Sequence, residues 1–182
     1  MRVPKKIIKI LKKGGIGVLP TDTIYGLVGS ALNKETVERI YKVRKRERTK
    51  PFIVLISNVE DLKIFGIKLK PFQKNLIKKF WPGPYSLIFD CKNKKFEYLH
   101  RGKKSLALRV PRPKWLRNLL KKVGPLVAPS ANLAGMPHAK TIKEAKKYFG
   151  ESVDFYFDAG KIDKKPSTLI DIRKKEIKIL RK

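Results

Sequence analysis

The sequence predicts an α/β fold, a twisted mixed sheet with flanking helices, on three observations. Short apolar runs of strand length are interspersed with stretches whose apolar residues recur at helical spacing. The two kinds alternate irregularly, which points to a mixed sheet. Pro, Gly and cap-forming residues punctuate most of the junctions between them. The 182 residues, 42% apolar and 9% aromatic, suit a single domain over 1–182 with a substantial core. No internal repeat, low-complexity tract or Ser/Gly/Pro linker divides the chain.

Taken in order, Pro4 at the N1 position opens a first helix with Ile7, Ile8 and Leu11 as its apolar stripe, and Gly14-Gly15 ends it. Ile16 to Pro20 reads as a short buried strand leading into the polar turn Thr21-Asp22-Thr23. Asn33 caps a helix running to about Arg44, with Val37, Ile40 and Tyr41 at helical spacing. The apolar run Phe52 to Ile56, bounded by Pro51 and Ser57, is a strand. Ser57 with Glu60 makes a capping-box pattern for the next helix. Pro71 starts another, which ends near the corner Trp81-Pro82-Gly83-Pro84. Strands are predicted at 86–89 and 105–110, a helix at 115–121 and a strand at 126–128. A second capping box at Thr141 and Glu144 precedes strands at 153–157, 168–172 and 176–180.

Lys and Arg total 45 against 15 acidic residues, a formal net charge of +30. Such a field draws in polyanions such as RNA and nucleotides. The lysines are spread along the whole length, so a Lys-rich proteome or hyperthermophile-type charge enrichment accounts for part of it. No apolar run approaches the roughly 20 residues a membrane helix needs. The charged residues within Met1–Leu11 leave no uninterrupted signal-peptide core. One cysteine, Cys91, excludes an internal disulfide and a multi-cysteine metal site. A soluble cytoplasmic protein without a membrane partner is the expectation. The phosphate-loop, dinucleotide, G-x-S-x-G and H-E-x-x-H motifs are all absent, and His100 and His138 are too few for a zinc site.

Three polar clusters sit beside apolar strands, where functional loops tend to lie. Pro20–Gly26 offers hydroxyls and a carboxylate for a small polar ligand, or equally a turn that satisfies its own backbone. Arg44–Pro51 brings five cations to a helix end, a clamp for phosphates or a solvated charge run suited to a helix C-terminus. Ala128–Gly135 ends a strand in small, hydrogen-bonding residues that can cradle a phosphate, or make an ordinary turn. Trp81–Pro84 reads as a packing corner and Cys91 as an inert thiol.

In their order these clusters resemble the YrdC-type threonylcarbamoyl-AMP synthase family in its short, single-domain form. The likeness rests on Pro20–Gly26 for P-T-D-T-x-Y-G, Arg44–Pro51 for the K-x-R segment and Phe80–Pro84 for F-W-P-G-P. It continues through Ser105–Pro111 for the strand ending in R-[VI]-P, Pro129–Gly135 for P-S-A-N-x-[SA]-G and Pro166-Ser167-Thr168 for P-S-T. Each segment alone is weak; the shared order is specific.

The resemblance implies a basic concave face on the twisted sheet and a nucleotidyltransferase. It joins L-threonine, bicarbonate and ATP into threonylcarbamoyl-AMP and pyrophosphate. A downstream threonylcarbamoyl transferase then modifies the tRNA adenosine beside the anticodon. By the same resemblance Arg46, Lys50, Ser105, Ser130, His138 and Arg181 align with nucleotide-contacting positions, and Thr23, Arg109, Ala128 and Ser167 with threonine-contacting ones. Arg44, Arg46, Ser130 and Asn132 form the signature set expected to be catalytic. Mg²⁺ is expected to ride mainly on the ATP phosphates, with no metal site in the protein. Direct contact with tRNA or double-stranded RNA is a further expectation, and a paralogue or RNA-binding protein without synthase activity is the competing reading.

Two departures stand out. Arg44 occupies the first signature lysine, keeping the charge but not the geometry of an ammonium, and Leu55 stands where longer members often carry histidine. The chain ends soon after Arg181, so the extra C-terminal domain of longer members is not expected.

Overall fold

The computed structural model describes residues 1–182 and forms one mixed nine-stranded sheet. The strands are β1 (Gly17–Pro20), β2 (Tyr25–Ser30), β3 (Val54–Leu55), β4 (Tyr85–Asp90), β5 (Ser105–Arg109), β6 (Leu126–Val127), β7 (Phe155–Tyr156), β8 (Thr168–Asp171) and β9 (Lys178–Arg181). Their order across the sheet is β7-β1-β2-β6-β3-β5-β4-β8-β9. The pairs β1–β7, β3–β5 and β4–β8 are parallel and the remainder antiparallel. Helices α1 (Lys5–Lys12), α2 (Lys34–Val43), α3 (Pro71–Phe80), α4 (Glu97–His100), α5 (Lys114–Val123) and α6 (Ile142–Phe149) flank it.

The two-residue side-chain period of a strand divides the sheet into two faces with different fates. On one face Val18, Leu27, Val54, Leu87, Phe89, Leu106, Leu108 and Ile170 enter the large core with Val37, Ile40 and Tyr41 of α2. On the other, Leu19, Val28, Leu55 and Leu126 meet Ile7 and Leu11 of α1 and Leu116, Leu119 and Leu120 of α5. That second cover stops part-way. Beyond it, Ser105, Ala107 and Arg109 of β5, Ile88 of β4 and Leu169 of β8 line an open hollow instead. Along β5, polar and small residues in alternate positions thus mark where the sheet is left uncovered, whereas Ile88 and Leu169 carry no such mark.

Most sequence-predicted elements are present, with informative differences. Asn33 caps α2 by accepting the Thr36 amide, and Pro71 stands at the start of α3. Pro4 is the residue before α1 rather than its first helical one. The Ser57–Glu60 capping box does not form. Asn58 caps a 3-10 segment (Val59–Phe65) one residue later, while Asp61 Oδ2 accepts both the amide and hydroxyl of Ser57. At the second box, Thr141 caps α6, but Glu144 accepts from Lys140 instead of Thr141. β3, β7 and β8 are shorter than predicted, and β9 sits at 178–181.

The strand β2 was not predicted, because its glycines lower strand propensity. The packing explains Gly29: a Cβ there would come within 2.5 Å of Thr36 Cγ2 and 2.9 Å of Ile16 Cγ2, so α2 lies directly on the strand. Trp81 is a buried corner as predicted, its ring centroid 5.8 Å from that of Phe89 and its indole N–H donating to the Tyr85 carbonyl at 2.8 Å. Cys91 is buried, and burial pushes its thiol up.

Candidate active site

The hollow is a cavity of about 650 Å³ with one wall from each polar cluster of the sequence. Six cations line it, Arg44, Arg46, Lys103, Arg109, Arg173 and Arg181, and no carboxylate does.

The first wall is the β1–β2 turn. Thr21 Oγ1 donates to the Ile24 carbonyl (2.7 Å) and accepts the amides of Thr23 (3.2 Å) and Ile24 (3.3 Å), so this residue does satisfy its own turn. Thr23 Oγ1 is left to accept from Arg109 at 3.0 Å. Because the Thr21 proton is committed to Ile24, the 3.0 Å contact between the two threonine hydroxyls has Thr23 as donor. Asp22 accepts the Arg112 amide at 3.1 Å and stands 3.4 Å from the Arg109 guanidinium.

Arg109 ends β5 and is 4% exposed. Burial lowers its pKa, Asp22 opposes that, and Arg181 adds to the lowering. One carboxylate at 3.4 Å and one hydroxyl do not exhaust five N–H donors, and Nε has no partner. A buried guanidinium with spare donors opening on a cavity suits a carboxylate.

The second wall follows α2. Arg44 is its C-cap, Lys45 reverses the chain in the left-handed region (φ 51°), and Arg46 returns to the cavity with its amide bonded to Tyr41 O. Arg44 is 2% exposed. Its Nε donates to Asn132 O (3.0 Å), and one terminal nitrogen donates to Asn132 Oδ1 (3.0 Å) and Ser130 Oγ (3.2 Å). Burial first, and Arg46 second, lower its pKa to about 10. Arg46 makes no ion pair, and its Nε is buried without a partner. Both guanidiniums lie about 6 Å from the Phe52 ring centroid (6.0 and 5.9 Å), itself stacked on Tyr41 at 4.0 Å.

The third wall is the 128–138 segment, held to β2 by the Leu27 amide on Pro129 O and the bridge between Gly26 and Ser130. Asn132 Nδ2 donates to the carbonyls of Leu133 and Met136, both at 2.8 Å, so Asn132 folds the loop as well as receiving Arg44. His138 lines the cavity with Nε2 buried and unpartnered. On the fourth wall Ser86 and Ser167 hydroxyls lie 2.9 Å apart, and Arg181 grips Ser167 O from Nε (3.1 Å) and a terminal nitrogen (2.8 Å). Burial and Arg46 lower the pKa of Arg181, two cations facing one space.

The structure therefore brings Thr23, Arg44, Arg46, Ser105, Arg109, Ala128, Ser130, Asn132, His138, Ser167 and Arg181 to one cavity. Lys50 is not brought there. It is exposed and pairs with Glu47 at 3.0 Å, because the chain has already turned outward after Arg46. Leu55 is fully buried in the smaller core and does not line the cavity. Sequence reading missed Lys103, Arg173, Phe52 and Leu180. Lys103 and Arg173 carry no motif signal, whereas Phe52 was readable only as an apolar strand residue.

An open basic hollow without carboxylates on a mixed α/β sheet is a site suited to anionic ligands. The chain belongs to the Sua5/YciO/YrdC family, whose model, described as telomere recombination, matches residues 9–182. A protein of Methanocaldococcus jannaschii is 32% identical over 178 residues, 95% of this chain and 84% of that one. A threonylcarbamoyl-AMP synthase of Marinobacter nauticus is 32% identical over 162 residues, covering 87% and 85%. Pyrococcus abyssi Sua5 solved with L-threonine superimposes with a TM-score of 0.90 at 27% identity. That match covers all of this chain (100%) and 55% of Sua5, so the chain spans about half the length of that relative. These relatives bear out the family resemblance and favour the synthase over a paralogue or RNA-binding protein without that activity. No helix is long and apolar enough to cross a membrane.

Proposed function

We propose that the protein is an L-threonylcarbamoyladenylate synthase, a nucleotidyltransferase that supplies the threonylcarbamoyl group for tRNA modification. The observation that carries this reading is that Arg109 with Thr23 and Arg46 with Arg181 open into one cavity lined by six cations and no carboxylate. Arg109 takes the threonine carboxylate as a planar fork, with Thr23 and Ser167 beside it for the amine and hydroxyl. Arg46 and Arg181 take phosphate oxygens, and Ser105, Ser130 and His138 complete the nucleotide side.

Bicarbonate takes up a proton and loses water to give CO₂; the neutral threonine amine forms an N–C bond to that CO₂ and gives up one proton, which leaves an anionic carbamate. A carbamate oxygen attacks the α-phosphorus of ATP, a new O–P bond forms, the bond to the β-phosphate bridging oxygen breaks, and pyrophosphate leaves with the electron pair. The nucleophile is already an anion, so no general base is called for. Fixed positive groups positioning the reactants then do most of the work, and effective molarities of about 10⁵ M or more are available to oriented pairs. With no carboxylate in the lining, Mg²⁺ enters on the ATP phosphates as part of the substrate. The product passes to a threonylcarbamoyl transferase, and a cytoplasmic setting belongs to the same reading.

The test is to incubate the purified protein with ATP, L-threonine and labelled bicarbonate. A labelled adenylate and pyrophosphate that both require threonine are expected. Pyrophosphate release indifferent to threonine, or none at all, sinks the reading.

A further inference from the structure

Two hydroxyls that line the cavity around Arg109, those of Thr23 and Ser167, have their protons directed by neighbours, and in opposite senses. The Thr23 proton goes to Thr21, and Arg109 donates to one Thr23 lone pair, so toward a ligand Thr23 can only accept. For Ser167 the directing group is Ser86 of β4, which is 0% exposed. We propose that Ser86 is a specificity-determining positioning residue. It donates to Ser167 and thereby turns the Ser167 proton toward the side-chain hydroxyl oxygen of the amino-acid substrate. Only the identity of that substrate, threonine, rests on the synthase reading.

The direction of the bond between the two serines follows from counting protons. A hydroxyl carries one proton and two lone pairs. Ser86 Oγ has a single hydrogen-bond partner, Ser167 Oγ at 2.9 Å, and no exposure to water. Were Ser167 the donor, the Ser86 proton would be buried without an acceptor, and a buried donor left unpaired is expensive. With Ser86 as the donor that proton is satisfied. A terminal nitrogen of Arg181, which can only donate, lies 3.3 Å from the same Ser167 oxygen. Both lone pairs of Ser167 are then occupied, and its own proton is left for the cavity it lines.

This opposed pair selects the atoms it can meet. An amino acid held by its carboxylate on Arg109 presents an ammonium group, which has only donors, and Thr23 offers only an acceptor. Ser167 offers only a donor, so it needs an oxygen with a free lone pair. A β-hydroxy side chain supplies one. An apolar side chain of the same length does not, and it leaves the Ser167 proton unpaired in a residue that is 4% exposed. A site built to bond a substrate hydroxyl rejects the analogue without it more strongly than an apolar pocket rejects by size. The sheet puts Ser86 where it can set this. It is paired with Leu169 of β8, beside Ser167, and the register of Leu87 with Leu108 brings it next to Arg109 of β5. Ser86 does not itself line the cavity, so its influence passes through Ser167.

The experiment is titration calorimetry of the wild type, Ser86→Ala and Ser86→Thr with three ligands: L-threonine, L-serine, and L-2-aminobutyrate, which is threonine without its hydroxyl. The wild type should bind threonine about 10-fold or more tightly than 2-aminobutyrate. Ser86→Ala should weaken threonine and serine alike, by about 3- to 10-fold, and change 2-aminobutyrate little. Ser86→Thr keeps the donor and should keep the wild-type preference. It decides the matter even if the melting temperature of Ser86→Ala shows that variant to be unfolded, since loss of the preference in Ser86→Thr overturns the proposal. Equal losses for all three ligands in Ser86→Ala overturn it too, because a merely structural serine would act on every ligand. So do an unchanged Ser86→Ala, a wild type indifferent to the hydroxyl, and a wild type that binds no threonine. Pyrophosphate release is read separately. A wild type that prefers the hydroxyl but releases no pyrophosphate sinks the synthase reading and leaves the role of Ser86 standing.

Discussion

Arg44 and Asn132 are tied together twice, the Arg44 Nε donating to the backbone carbonyl and a terminal nitrogen to the side-chain Oδ1, both at 3.0 Å. With the third bond to Ser130 Oγ, these contacts turn a fully covered cation into the clamp of the Ser130–Asn132 loop. The departure from lysine at this position thus gains a planar fork where the loop offers several acceptors. Arg44→Ala leaves those acceptors without their donor, at about 1–3 kcal/mol for each one that water does not reach, partly offset by removing a buried charge. We expect a melting temperature lower by about 5–10 °C, at roughly 2–4 °C per kcal/mol for a chain of this size. Arg44→Lys, which keeps the charge without the fork, should melt between the wild type and Arg44→Ala. Calorimetry of the two variants checks this; an unshifted melting point in Arg44→Ala removes the clamp.

Arg109→Ala should raise the threonine KM far more than the ATP KM. Charge-assisted hydrogen bonds contribute about 1.5–3 kcal/mol, so the threonine KM is expected to rise by about 10- to 100-fold. Initial rates of pyrophosphate release at varied threonine and ATP make the measurement. Equal rises in both constants would take Arg109 away from the carboxylate.

Arg46→Ala should act on the other substrate. Its guanidinium enters no ion pair, and its charge lowers the pKa of both Arg44 and Arg181. Such a group contributes little to the fold, and in the proposed reaction it serves the phosphates. The variant should melt at or above the wild-type temperature while the rate falls by about 10²–10³, the usual effect of removing a preorganised charge-stabilising donor. Near-normal turnover refutes the phosphate role.

How far the site was legible in the sequence follows from where its information resides. Thr23, Arg109, Ser130 and Ser167 sit in motifs, and the motifs lie at strand ends that the sheet brings together. Lys50 was drawn in by its neighbours in the same cationic run. The run alternates, however, with Arg46 inward and Lys50 on Glu47, and that alternation depends on the left-handed turn at Lys45. Lys103 and Arg173 were illegible because two lysines or arginines among 45 carry no mark until the fold places them. The hidden strand β2 belongs to the same class: its glycines argue against a strand locally, and only the pressure of α2 on Gly29 explains them.

Asp154 supplies the pH-dependent test of the fold. Its Oδ2 accepts the Ile16 amide and an Arg39 guanidinium nitrogen, both at 2.7 Å, joining the approach to β1 to α2. Burial alone would raise its pKa, but the bonds from Arg39 and Ile16 outweigh that and hold the carboxyl below its ordinary 3.8. A carboxylate depressed in the folded state adds stability above the unfolded value, and that stability is lost as pH falls through the folded one. The Arg39 pair is over one-third exposed on the arginine side (40%), so solvent screens it and the contribution stays modest. Asp154→Ala should therefore lower stability by about 1 kcal/mol at neutral pH. The gap from the wild type should narrow steadily once the pH drops below 3.8. Urea unfolding of both proteins across that range decides it, and a gap that stays constant or widens on acidification shows that the charge of Asp154 does not hold the two elements together.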